Sequence, residues 1–171
     1  MSLSPVHHTN ISVTNMERAL AFYRDALGYR VTMRAKVDRP EFQRYTRVPP
    51  GTTGDMVLLQ SGDDPNVGTI ELIQWSPPLA ETTPPKRAGD PGICMIAIQV
   101  QDETLEEVRE RLGEQGIEPW SDILSIDLEG YPTFRGMVIE DPDGTLVELI
   151  QLPTREEVRA FRAALREHQT A

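Results

Sequence analysis

The chain has 171 residues, 39% of them hydrophobic and 26% charged, an ordinary globular balance for one domain or two half-domains sharing a core. Its 17 Lys and Arg against 27 Asp and Glu give a net charge of −10, a field that repels nucleic-acid backbones and anionic membranes, so neither is an expected partner. A single cysteine, Cys94, excludes an internal disulfide and any multi-thiolate zinc or iron–sulfur centre. The longest apolar run, Ile93 to Ile98, is far shorter than the ~20 residues that cross a bilayer. No basic segment followed by an apolar stretch opens the chain, so no secretory signal is expected and a cytoplasmic location is.

Taken in chain order, an alternating strand near 6–13 leads to Asn15, an N-cap residue, and a helix to about Leu27. Met16, Ala19, Leu20, Tyr23 and Leu27 form its apolar stripe, and Gly28 suits a left-handed stop. Strand-like runs follow at 29–37, 55–60 and 69–75. Between the first two, Arg34, Lys36, Arg39, Arg44 and Arg47 stand against Asp38 and Glu41, and Pro49-Pro50-Gly51 closes the stretch. This predicts a long loop, either simply solvated or acting as a rim for an anionic substrate. Residues 76–92, with Pro77, Pro78, Pro84, Pro85 and Pro91, read as a linker.

The order then repeats. A strand at 93–101 leads to a helix at 104–115, where Thr104 and Glu107 match a capping box, Leu105, Val108 and Leu112 form the stripe and Gly116 is the stop. Strands follow near 122–128, 134–140 and 145–152, the last two joined by the turn Asp141-Pro142-Asp143-Gly144. Thr154 and Glu157 open a C-terminal helix, about 154–168, with Val158, Phe161 and Leu165 on one face.

Ile70-Glu71-Leu72-Ile73-Gln74 and Val147-Glu148-Leu149-Ile150-Gln151 make the duplication explicit. The offset is 87 residues at the first strands and 77 at the last, a difference that surface loops absorb. The predicted fold is therefore α+β. Two βαβββ modules (about 6–75 and 93–152) form a curled mixed sheet around a central cavity, with the C-terminal helix as an appendage. Strand alternation puts His8, Asn10 and Ser12 on one face, opposite Ile11 and Val13, which should pack on the helix. By the same rule Met95, Ala97 and Gln99 share the cavity face of the second module. Glu71 lies with Ile73 and Trp75, and Glu148 with Leu146 and Ile150. A carboxylate among large apolar neighbours is costly unless paired, protonated or bound to a cation.

The pattern His-x-x-x-x-Val before a helix, Glu-Leu closing a βαβββ unit and Asp-Pro-Asp-Gly-x-x-x-Glu closing its duplicate resembles the vicinal oxygen chelate superfamily. That group includes glyoxalase I, methylmalonyl-CoA epimerase, extradiol dioxygenases and the fosfomycin- and bleomycin-resistance proteins. The resemblance spans about residues 6–152 and implies metal ligands at His8, Glu71, Met95 and Glu148. Met95 departs from it, because the family usually has His there and a thioether suits Mn²⁺, Mg²⁺, Ni²⁺ or Co²⁺ poorly. The implied cofactor is thus a divalent ion (Mn, Ni, Co, Zn or Fe) on His8, Glu71 and Glu148. The implied activity is that of a lyase or isomerase acting on a small oxygen-bearing substrate through an enediolate-like intermediate, with Glu71 or Glu148 as the catalytic base. The alternatives are a ring-cleaving or polyketide-type dioxygenase and a metal-free binding protein of the bleomycin-resistance type. A homodimer is expected from the same resemblance.

Each residue also has a plainer reading. His8 alone suits a hydrogen-bonded structural histidine, and Glu71 an arginine pair. His7 should face away from His8 and be structural, although a one-residue slip would exchange them. Met95 fills an apolar pocket, Cys94 belongs to the helix-facing core, and Trp75, Tyr131 and Arg135 are pocket residues by position alone.

Overall fold

The computed structural model describes residues 5–64, 67–79 and 91–169. The chain divides into two compact units, Met1–Pro84 and Pro85–Ala171. Most of the proline-rich linker lies outside the described residues.

In the first unit, β1 (His8–Ser12), α1 (Met16–Leu20), β2 (Arg30–Val37), α2 (Pro40–Thr46), β3 (Thr53–Gln60) and β4 (Thr69–Ser76) follow in sequence. The four strands form an open sheet in the order β1-β4-β3-β2, with β1 parallel to β4 and the other pairs antiparallel. The second unit repeats this with β5 (Met95–Gln99), α3 (Leu105–Glu114), β6 (Leu124–Leu128), β7 (Tyr131–Glu140) and β8 (Leu146–Gln151), in the order β5-β8-β7-β6. A final helix, α4 (Arg155–Gln169), packs against β7, with Val158, Phe161 and Leu165 half-buried as its stripe predicts. Fold class and strand order thus match the expectation of an α+β duplication with a C-terminal helix.

Local chemistry explains the boundaries. Asn15 Oδ1 accepts the Arg18 backbone N–H at 3.0 Å, starting α1 as an N-cap does. In α3 the capping box is complete: Thr104 Oγ1 accepts from the Glu107 N–H at 3.2 Å, and Glu107 Oε2 accepts from the Thr104 N–H at 2.8 Å. The Thr104 N–H and hydroxyl, each donating to Glu107 Oε2 at 2.8 Å, hold the Glu107 carboxyl below its ordinary range. At the β7–β8 hairpin, buried Asp141 accepts from the N–H groups of Asp143 (2.9 Å) and Thr145 (2.7 Å), while Gly144 takes φ 89°.

The first helix departs from its predicted stripe. After Leu20 it widens into a π-helical stretch, Ala21–Ala26, closed by Leu27 N–H donating to Phe22 O at 3.0 Å. That widening rotates the terminal residues, so Phe22 and Ala26 are buried where the α period calls for Leu27. Gly28 then adopts φ 77° and ends the helix as expected.

Two further expectations are corrected. Residues 40–46 form α2 rather than loop, with Pro40 at a position where its missing N–H costs nothing. Buried Gln43 holds the stretch behind it: its Nε2 donates to Thr52 O at 2.8 Å and its Oε1 accepts the Gly51 N–H at 3.2 Å. Cys94 is half-buried and precedes β5 instead of lying in its helix-facing row.

Each sheet packs an apolar core on its helix-facing side. In the first unit this side carries Ile11, Val13, Val57, Leu59, Ile70 and Leu72 beneath Leu20 and Tyr23, all buried. The opposite side is where the polar residues gather. Gly54 sits there in register between Val37 and Trp75, and an added Cβ would meet Val37 Cγ2 at 2.8 Å and Ile73 Cγ2 at 3.1 Å.

Gly54→Ala is therefore expected to destabilise the protein by about 1–3 kcal/mol through overpacking, read as a lower midpoint in urea unfolding. A second expectation concerns Tyr29, whose buried phenol is pushed above its ordinary value by desolvation, with the Ser61 hydrogen bond opposing. A raised folded value keeps the proton on the native state, so its contribution is complete below about pH 10 and is lost as pH rises beyond it. Stability measured against pH should fall across this alkaline window, and fall less steeply in Tyr29→Phe.

Candidate functional site

The parallel ladder between β1 and β4 sets Asn10 beside Glu71 and Ser12 beside Ile73. His8, Asn10, Ser12, Glu71, Ile73 and Trp75 consequently share the side of the sheet away from the first helix, as alternation predicts. Two hydrogen bonds confirm this: Asn10 Nδ2 donates to Glu71 Oε1 at 2.7 Å, and Trp75 Nε1 donates to Ser12 Oγ at 3.0 Å. The carboxylate at 71 has an amide for a partner, not the arginine considered from sequence.

One end of this side is covered. Phe42 of α2 packs on the buried cluster of Val37, Met56 and Ile73 with Ala35 and Trp75, its ring centroid 6.3 Å from that of Trp75. Tyr45 extends the aromatic row at 6.5 Å from Phe42 and is 85% exposed. The other end, with His8, Asn10, Glu71, Leu58 and Met33, stays open. The basic segment is partly neutralised: Lys36 pairs with Asp55, and Arg44 with Glu41 at 3.5 Å.

His7 is not turned away from His8. Both rings are exposed, their Nδ1 atoms are 2.9 Å apart, and the rings meet edge to face with centroids at 5.2 Å. The donors of this unit are thus each engaged through one atom, His8 through Nδ1 and Glu71 through Oε1. His8 Nε2 and Glu71 Oε2 have no partner among the described residues.

In the second unit Glu148 occupies the same register position, beside Ala97 on β5 and Val138 on β7. Alanine offers no hydrogen bond, and among the described residues the half-buried Glu148 carboxylate has no partner. Met95, half-buried, stands at the position equivalent to His8. Arg135 is corrected from a residue of this side to one of the helix side. It forms an ion pair with Glu106 of α3 (second contact 3.3 Å), which raises its own pKa and lowers that of Glu106, and it lines a cleft of about 630 Å³ with Arg109 and Asp122. Tyr131 packs edge to face on Phe134 at 6.2 Å.

Among the described residues no three His, Cys, Asp or Glu side chains are grouped to hold a metal ion. The donor chemistry of the first unit nevertheless suits one. An imidazole and a carboxylate on one side of a sheet, each held by a neighbour and each with one atom open, are ligands a divalent ion accepts. The Met95 thioether does not fit. Sequence analysis missed Asn10 as the partner of Glu71, His7 as the partner of His8, and the whole of α2. Only Asn10 had a signal, its shared strand face with His8.

The profile described as the Glyoxalase/Bleomycin resistance protein/Dioxygenase superfamily matches residues 7–124. No curated protein matches the sequence. Among solved structures, a glyoxalase family protein from Bacillus cereus aligns at 20% identity and TM-score 0.73, covering 90% of this chain and 97% of that one. A glyoxalase family protein from Enterococcus faecalis aligns at 25% identity and TM-score 0.61, covering 88% and 100%. The trypanothione-dependent glyoxalase I of Leishmania major aligns at 24% identity and TM-score 0.57, covering 99% and 100%. Among the described residues no helix is long and apolar enough to cross a membrane.

The cover supplied by α2 has a direct optical consequence. The chain has two tryptophans, and Trp120 is 67% exposed, so a Trp120→Phe background isolates Trp75. In that background Phe42→Ala should shift Trp75 emission to the red and cost about 1–2 kcal/mol, as expected for a half-buried aromatic ring.

Proposed function

This chain belongs to the glyoxalase/bleomycin resistance protein/dioxygenase superfamily, and from that premise we propose that it is a divalent-metal-dependent lyase or isomerase. Its substrate is a small molecule with two adjacent oxygens, and its protein donors are His8, Glu71 and Glu148. The observation that carries this reading is the Glu71 carboxylate, pinned through Oε1 by Asn10 at 2.7 Å and open at Oε2, on the same side of the sheet as His8.

A divalent ion held there supplies Lewis-acid polarisation of the substrate oxygens. The rest falls to the chain. Asn10 fixes the Glu71 side chain in one orientation, so that a single oxygen, Oε2, is left to serve as donor. Glu148, with no partner of its own among the described residues, is the carboxylate better able to move, and it takes a proton from the carbon next to a carbonyl and returns it. Phe42 and Trp75 exclude water from the far end of the sheet face. One imidazole with two carboxylates lacks the second histidine of the usual non-haem iron triad, which favours Lewis-acid over oxygen chemistry. A second reading, metal-free capture of an aromatic ligand, is favoured by Met95 and by the exposed Tyr45 beside Phe42.

Metal analysis by mass spectrometry on protein prepared without chelators separates them. Near-stoichiometric metal in the wild type, falling at least tenfold in Glu148→Gln and in Glu71→Gln, is the expected result. No metal in any sample after incubation with Mn²⁺, Ni²⁺ and Fe²⁺ would reject the metalloenzyme and leave the ligand-capture reading.

A further inference from the structure

We infer that His7 is a positioning residue for His8: it accepts the His8 Nδ1–H, fixes the tautomer of that ring, and leaves Nε2 as a bare lone pair for a metal ion. The inference rests on the reading of His8 as a metal donor and adds to it the group that makes His8 competent.

The geometry permits two arrangements. At 2.9 Å, two Nδ1 atoms are at hydrogen-bond distance and need one proton between them, because two bare lone pairs repel and two N–H groups collide. With the proton on His7, the neutral His8 ring must carry its own proton on Nε2, and neither of its nitrogens is left to bind a metal. With the proton on His8, Nε2 is bare and the ring plane is held. Only the second arrangement offers a metal ion a bare nitrogen without a prior shift of tautomer.

His7 is well placed to do this. Its carbonyl accepts from both the N–H (3.3 Å) and the hydroxyl (2.5 Å) of buried Thr69, tying its main chain to β4 two residues before Glu71. The residue is therefore anchored beside the donor it orients, and its ring stands at a right angle to the His8 ring. Glu71 is built in the same way, with Asn10 as its outer partner. In the second unit neither device recurs: Met95 and Ala97 replace His8 and Asn10 at the equivalent positions.

Two measurements test this. In metal-free protein, long-range ¹H–¹⁵N correlation of the imidazole nitrogens reports the tautomer directly, and three histidines keep that spectrum simple. In mildly alkaline buffer, His8 is expected as the Nδ1–H tautomer in the wild type. His7→Asn should preserve it, because Oδ1 takes the place of Nδ1 as acceptor, and His7→Phe should not. In parallel, titration with Co²⁺ followed by visible absorption should show His7→Phe binding about 10–100-fold more weakly, with His7→Asn close to wild type. The His7 ring is exposed, so both variants should fold, and rescue by asparagine excludes a general disturbance of β1. An Nε2–H tautomer for His8 in the wild type, or equal Co²⁺ affinity in His7→Phe, overturns the role of His7 while the donor role of His8 stands. A wild-type protein that takes up no Co²⁺ overturns the donor reading, and the role of His7 with it.

Discussion

Each unit depends on one long-range pairing, in which its first strand lies parallel to its last. Parallel neighbours cannot be joined by a tight turn, so the helix and two further strands must intervene before the ladder closes. In the first unit that ladder brings Asn10 to Glu71 across 61 residues of chain, and in the second it brings Ala97 to Glu148. Everything placed on the side of the sheet away from the helix inherits its register from this contact.

The same ladder explains an asymmetry between the duplicates. Both carry glutamate at one register position, yet Glu71 is held by an amide while Glu148 lies beside an alanine methyl. A carboxylate held at one oxygen is a fixed ligand or a directed base, whereas one without such a partner can reorient. The duplication thus supplies two copies of one carboxylate, and the neighbouring strand gives them different freedom. His8 and Met95 repeat the contrast, an imidazole with an outer partner in one unit and a thioether in the other.

The side of the first sheet that faces away from its helix is divided by α2. Phe42 seals the end formed by Val37, Met56, Ile73 and Trp75, and leaves the histidine and glutamate end uncovered. Gln43 makes this possible without contributing to the site, since its amide ties the chain at 51 and 52 back to the helix. A buried amide with both ends satisfied gives the segment a single conformation, which a merely solvated loop would lack.

The sequence by itself determined the duplicated βαβββ order, because apolar periodicity, caps and stops are local and each half shows them. It also determined which residues of one strand share a side, because alternation has a strict period of two: His8, Asn10 and Ser12 formed one legible group and Glu71, Ile73 and Trp75 another, and only the family resemblance linked His8 to Glu71. It did not determine what those residues touch. That Asn10 binds Glu71 and that His7 meets His8 depend on side-chain rotamers and on the diagonal offset of paired strands, neither of which leaves a periodic trace. The segment at 40–46 read as loop because Pro49-Pro50-Gly51 closes a charged stretch, and only Phe42 finding the sheet and Gln43 finding residues 51 and 52 make it a helix. Arg135 moved to the helix side for the same reason: its parity along β7 was readable, but the ladder that gives parity a direction closes only in the tertiary structure.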